Sequence, residues 1–243
     1  MRFSGLARTL SAVALLCWMG TSRAEPASGG KVYIAFFGGP QKYRMSEVND
    51  EITRDNQQFA GSGFVVPKIG GGAGFGAGIR VWPSAKLGLL FDYMRLAAST
   101  SKEALVSDVP VTAEIRLPAN SFTATAGYFR TSRRLRYGLG AGVGYYLCNG
   151  KIEARVGTQR ASSNVTGKGP GFHGLAMADI RTSAMHFEAA VGYRVAQTKL
   201  KDEGGAYVLG QDGSRLRADW NGVMTRIGFS IPFDPGPYPN PAR

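Results

Sequence analysis

The sequence predicts an all-β fold, an eight-stranded antiparallel up-and-down transmembrane β-barrel. Three observations predict it. Apolar residues alternate strictly with glycines in several segments, the connections between those segments alternate long and short, and the chain opens on an export-type leader. The clearest segment is 137–148. Tyr137, Leu139, Ala141, Val143, Tyr145 and Leu147 take one face, and Gly138, Gly140, Gly142 and Gly144 take the other. A period of two belongs to a strand, whose successive side chains point to opposite faces. Glycine packs nothing and weakens a strand inside a soluble sheet. The pattern fits a wall whose bare face meets a crowded interior and whose greasy face meets lipid. Tyr137 and Tyr145 lie about 26 Å apart along such a strand, or about 20 Å along the membrane normal after tilt. That matches an apolar band between aromatic girdles.

The first 24 residues read as a cleaved signal peptide. Arg2 and Arg8 form a positive start, 10–20 is an apolar core, and Ser22-Arg23-Ala24 is a small-x-small cleavage site. The core is too short to span a bilayer as a helix, and no later run reaches about 18 apolar residues. Removing the leader leaves 219 of the 243 residues and, with its three arginines gone, takes the formal charge from +12 to +9. Cys17 goes with it, so Cys148 has no internal disulfide partner. Thirty-four glycines and a slightly negative mean hydropathy (−0.12) exclude a helical membrane protein but suit alternating barrel strands. A basic balance favours anionic surroundings; with export, that means lipid head groups rather than nucleic acid.

Eight strands are expected in order. Residues 32–39 are aromatic and β-branched, with both faces apolar. A polar stretch, 41–69, follows. In 70–82, Ala73, Phe75, Ala77, Ile79 and Val81 oppose Gly72, Gly74, Gly76, Gly78 and Arg80. After the turn at 83–85, 86–96 turns Leu87, Leu89, Phe91 and Tyr93 outward and Gly88 and Asp92 inward; Arg95 has outward parity, which requires a bulge or the membrane edge there. Residues 97–117 are again polar, with 111–117 alternating as if a strand continued above the membrane. Residues 120–130 put Phe122, Ala124, Ala126 and Tyr128 outward. The segment 137–148 comes next, then a long connection over 149–169. In 172–181, Leu175 and Met177 are expected outward, with Asp179 near the interface. Residues 186–196 place Phe187, Ala189, Val191, Tyr193 and Val195 outward and Glu188, Gly192 and Arg194 inward. The fourth long connection is 199–216. Residues 222–233 put Ile227, Phe229, Ile231 and Phe233 on one face and Met224, Arg226, Gly228 and Ser230 on the other, and 234–243 is a proline-rich periplasmic tail. Short turns at one end and long loops at the other are the rhythm of an even-numbered barrel, and closure removes edges that lipid cannot satisfy.

Over 31–233 the chain resembles the small outer-membrane β-barrel proteins of Gram-negative bacteria, those like OmpA, OmpX and OmpW. The most specific element is 226–233, where Arg226, Gly228, Ile231 and Phe233 are similar to the family's closing-strand signal. The resemblance implies recognition by the outer-membrane assembly machinery, residence in the bacterial outer membrane, and outer-membrane lipid and lipopolysaccharide as partners. Two departures are Pro232 within the signal and ten residues after it.

The glycines of 72–78 do not form a nucleotide-binding loop, because they alternate within a strand instead of opening a helix. No metal-ligand spacing and no cofactor motif is present. The inward charges Arg80, Asp92, Glu188, Arg194 and Arg226 suit either of two roles. They could plug the lumen as ion pairs, or line a narrow anion-preferring pathway to which inward glycines give room. Lys151, Arg155, Arg160 and Lys168 are candidate contacts for outer-leaflet glycolipid phosphates, or a solvated face. Arg130, Arg133, Arg134 and Arg136 cluster at the opposite end, facing phospholipid head groups. His173, with Ser162, Ser163, Asp202 and Glu203 nearby in sequence, outlines a lipid-modifying enzyme but lacks a family motif. The expected function is therefore a non-enzymatic surface protein acting through four extracellular loops with an unidentified extracellular ligand. A small porin-like channel is the alternative, and a lipid A-modifying enzyme the third possibility.

Overall fold

The computed structural model describes residues 31–182 and 185–233; the expected leader and proline-rich tail lie outside them. Eleven strands follow in order: β1 (Lys31–Lys42), β2 (Gly71–Trp82), β3 (Leu87–Leu96), β4 (Ser99–Val106), β5 (Val109–Arg116), β6 (Ala119–Ser132), β7 (Leu135–Val156), β8 (Gln159–Arg181), β9 (His186–Lys201), β10 (Arg217–Asp219) and β11 (Gly222–Phe233). Eight of them close an antiparallel ring, β1–β2–β3–β6–β7–β8–β9–β11 and back to β1. The closing seam runs from Val32↔Phe233 to Gln41↔Met224. The ring's outer surface is apolar on every wall: Ile227 is 75 % exposed, Leu139 67 % and Phe172 64 %. Exposed apolar surface on that scale is not a water-facing surface. The closed ring leaves no unpaired edge, so it can stand in hydrocarbon as a transmembrane barrel.

The inward face is filled in spite of its glycines. A Cβ on Gly88 would lie 2.6 Å from the Trp82 ring and 2.9 Å from the Phe129 ring. Gly127 and Gly138 lie equally close beneath Phe129, and Gly142 lies beneath His173. At these positions the bare face is a bed for rings from the same or a neighbouring strand.

Several expectations are corrected. On β1 the ambiguous facing resolves with Tyr33, Ala35 and Phe37 buried and Ile34 and Phe36 exposed. The facing expected for 172–181 is reversed: His173, Leu175, Met177 and Asp179 are buried, while Phe172 and Ile180 are exposed. Leu175 and Met177 look like lipid-facing residues, but the inward register takes Asp179 out of lipid and gives it a buried partner, which outweighs burying two apolar side chains on either face. The connection 149–169 is not a loop. β7 and β8 run on as a ribbon paired from Leu135↔Ile180 to Val156↔Gln159. The stretch 97–117 folds back as a β4–β5 hairpin, and β5 pairs with the overrunning part of β7, so the two form a sheet beyond the ring. At Arg95 the ladder is regular on both sides and holds no bulge, which leaves the membrane edge, the other alternative expected there.

The polar stretch 41–69 contains helix α1 (Ser46–Gln58). Met45, Val48 and Ile52 give it one short apolar stripe, too little to announce a helix. The stripe belongs to one buried apolar cluster with Tyr43, Trp220, Leu96, Leu117, Tyr146 and Leu200 at the long-connection end of the barrel. The amide of Asn49 both donates to Ile69 O and accepts from Ile69 N, and Asn56 does the same with Val66, so the return segment is stitched to the helix. Glu47 holds Arg217 of β10 at 2.5 Å.

Gly88→Val should lower stability by about 1–3 kcal/mol through overpacking against Trp82 and Phe129. Urea titration of the heat-modifiable folded band would measure it; unchanged stability would contradict the ring-bed packing.

Candidate functional site in the barrel lumen

The lumen site is built by strand parity. Arg80 on β2, Asp92 on β3, Glu188 on β9 and Arg226 on β11 share the inward face of their strands. Arg80 is ion-paired to Asp92 and reaches Glu188 with two contacts, Nη2–Oε1 at 3.0 Å and Nε–Oε2 at 3.2 Å. The other Asp92 oxygen accepts from Arg226 Nη1 at 2.6 Å. β3 and β9 stand opposite one another in the ring order, so the chain Glu188–Arg80–Asp92–Arg226 ties facing walls together. The Phe37 ring lies 5.4 Å from the Arg80 guanidinium carbon and 5.0 Å from that of Arg226. All four charged residues are buried, and buried charge persists only when paired and hydrogen-bonded.

Arg194 lies apart from this group. It donates to Trp220 O at 3.1 Å and to Gln41 Oε1 at 3.5 Å, with the Tyr43 and Tyr146 rings at 5.6 and 5.8 Å. Among the described residues no carboxylate pairs with it. At the short-turn end, Arg136 and Asp179 make a further pair that the sequence reading missed. Arg136 Nε and Nη2 donate to Asp179 Oδ2 at 2.8 and 2.6 Å, and the guanidinium stacks on Trp82 at 3.2 Å. Arg136 is thus buried inside and does not join the head-group cluster with Arg130, Arg133 and Arg134, which remain exposed. Its even parity with Gly138 was the available signal. His173 is inside too, with Nε2 2.7 Å from Thr125 Oγ1. Ser162 and Ser163 lie on the outer part of β8, away from His173 along that strand, and no catalytic arrangement joins them.

Outside the membrane, Lys151, Arg155 and Arg160 converge on Glu153 of the β7–β8 ribbon, at 2.8, 3.9 and 2.7 Å. The Arg160 and Lys151 hydrogen bonds hold the Glu153 carboxyl down at about 2. Lys168 stands lower on β8, exposed and cross-strand from Lys199. Arg226, Gly228, Ile231 and Phe233 lie on β11 in the closing seam. There Gly228 faces Phe37 and Ile231 faces Ile34, and a Cβ on Gly228 would sit 2.7 Å from Phe37 Cβ.

No protein-family model matches the chain, and no curated protein matches its sequence. Two solved structures are similar in architecture. Neisserial surface protein A (NspA) is 16 % identical, with a TM-score of 0.39 over 86 % of this chain and 100 % of that one. The outer membrane protease OmpT from Escherichia coli is 10 % identical, with a TM-score of 0.31 over 88 % of this chain and 99 % of that one. Likeness at this level carries no functional argument, so the reading rests on the chain's own geometry.

Asp92→Ala should cost about 3–5 kcal/mol in urea-dependent folding, because it leaves Arg80 and Arg226 buried with one partner fewer each. A loss below about 1 kcal/mol would mean that water already solvates the lumen. The Glu153 carboxylate should titrate near pH 2 by carbon-13 NMR, keeping its cation contacts at higher pH and losing them as the pH falls through that value. An ordinary carboxylate midpoint would mean that Lys151 and Arg160 do not hold it in solution.

Proposed function

We propose that this chain is a non-enzymatic, non-conducting barrel protein of the bacterial outer membrane that acts through the structured platform beyond its ring. The observation that carries this reading is the Glu188–Arg80–Asp92–Arg226 chain spanning the lumen between facing walls. The apolar cluster beneath α1 adds a second obstruction above it. A wetted pathway would have to break buried ion pairs, and removing one partner of such a pair is costly. The outer membrane is favoured because its proteins are the ones built as closed barrels with an apolar outer band, and the leader expected at 1–24 suits export. Arg226, Gly228, Ile231 and Phe233, on a lipid-facing closing strand, fit the segment by which the assembly machinery would receive the chain. The β4–β5 hairpin, the β7–β8 ribbon and α1 offer the surface for an extracellular ligand. Against an enzyme stands the buried His173, whose hydrogen bond goes to Thr125.

The test is conductance of the refolded chain in a planar bilayer, with folding monitored by the change in gel migration on boiling. The folded protein should be electrically silent. A variant shortened between Ala98 and Leu117, whose backbones already meet at 2.7 Å, should keep the heat shift and lose only surface interactions. Discrete current steps whose ion preference changes in Arg226→Glu would overturn the closed-lumen reading.

A further inference from the structure

The lipid-facing wall is not evenly convex. A groove of about 980 Å³ crosses β2, β3, β6, β7 and β8 on the outside of the ring. The cross-strand register explains it. Ile79, Phe91, Ala124, Val143 and Phe172 are successive partners in one row. Ala124 is therefore a gap one side chain wide between Phe91 and Val143, with Phe122 two residues along its own strand. Ala77 is a similar gap beside Tyr93 in the next row. Behind the floor, Gly78, Gly144 and Gly171 bring only backbone to the groove. The depression is shallow and open to the lipid, and its lining is almost wholly apolar.

The end of the groove toward the long connections is marked by charge. The row two residues farther out along the strands runs Phe75–Arg95–Asn120–Leu147–Lys168. Arg95 and Lys168 are exposed, and among the described residues neither has a carboxylate partner. Arg95 Nη1 donates to Asn120 Oδ1 at 3.3 Å, and Tyr93 OH donates to the same oxygen at 3.0 Å. That bond ties the guanidinium to the aromatic rim and leaves most of its five N–H groups for an anion. The row climbs as it passes round the barrel. It leaves β9 at Ala189 and returns to β9 at Lys199, so Lys168 stands farther from the membrane centre than Arg95.

An apolar groove in lipid fills with hydrocarbon, and cations at its outward end select an anionic head group. On the reading that the barrel spans the outer membrane, we infer that this wall carries a bound phosphorylated glycolipid of the outer leaflet. One acyl chain lies over Ala77 and Ala124, one phosphate sits on Arg95, and a phosphate farther out sits near Lys168. The site differs from a basic loop patch. Lys151, Arg155 and Arg160 are already gathered on Glu153, whereas Arg95 and Lys168 border an acyl groove.

The full chain, refolded in a neutral detergent, would be mixed with diphosphorylated lipid A or with phosphatidylcholine and examined by native mass spectrometry. The heat shift would be measured on the same samples. The folded wild type should retain one lipid A in preference to phosphatidylcholine. Ala124→Phe, which fills the groove, should lower retention of both lipids by on the order of tenfold. Arg95→Gln combined with Lys168→Gln should abolish the preference for lipid A while keeping the heat shift. Folded wild type without that preference, or Ala124→Phe retaining lipid A like wild type, would overturn the site. So would displacement of the lipid by excess inorganic phosphate. Absence of a heat shift in the wild type would overturn the membrane reading itself and the site with it.

Discussion

Hydrocarbon offers no partner for a backbone N–H or C=O, and the whole architecture follows from that constraint. Every strand of the membrane-crossing ring must have a neighbour on both sides, so β1 must find β11 across nearly the whole length of the described chain. Once the ring is closed, each strand has two faces in two different media. The outward face carries Ile34, Phe36, Phe91, Phe122, Val143 and Phe187 because lipid rewards apolar surface there. The inward face must fill a space only wide enough for side chains. Glycine recurs on that face because a ring on the same or a neighbouring strand needs somewhere to lie, as Phe129 does over Gly88, Gly127 and Gly138.

Charge enters the lumen under strict conditions. Taking an arginine and a carboxylate from water costs several kcal/mol per ion, and their attraction recovers it only when geometry and hydrogen bonding are good. Asp92 meets those conditions by giving one oxygen to Arg80 and the other to Arg226. Asp179 meets them in part: one oxygen accepts from both Nε and Nη2 of Arg136, whose flat guanidinium also stacks on Trp82, and the other has no hydrogen-bond partner among the described residues. Arg194 uses a carbonyl, an amide and two tyrosine rings instead. Arg80–Glu188 and Asp92–Arg226 join strands that are not hydrogen-bonded neighbours, whereas Arg136–Asp179 lies between adjacent β7 and β8.

Beyond the membrane the same strands serve another purpose. β7 and β8 keep their ladder to Val156↔Gln159, and the β4–β5 hairpin widens that ribbon. On the other side of the mouth, α1 is held by its short apolar stripe and by Glu47, Asn49 and Asn56. The extramembrane part is therefore built of paired strands and a docked helix over much of its length. The lipid-facing wall below it carries its own relief, because Ala77 and Ala124 interrupt rows of large side chains.

The sequence by itself determined the ring. Alternation of period two, with glycine opposite apolar residues in the clearest segments such as 70–82 and 137–148, suits strands with lipid on one side and a packed interior on the other. The same parity identified Arg80, Asp92, Glu188, Arg194 and Arg226 as inward, because facing is a local property of a strand. Tertiary structure decided what those residues meet. Arg80 finds Glu188 and Asp92 finds Arg226 across a ring whose register depends on all eight strands, and no local pattern encodes the distance between opposite walls. Parity failed on β8, where Leu175 and Met177 look lipid-facing but Asp179 requires the opposite register and Arg136 supplies the partner. Helix α1 and the β7–β8 extension were hidden for a related reason. Their residues are polar because water surrounds them; the helix takes its order from contacts with Trp220, Ile69 and Arg217, and the extension from its own ladder and from β5.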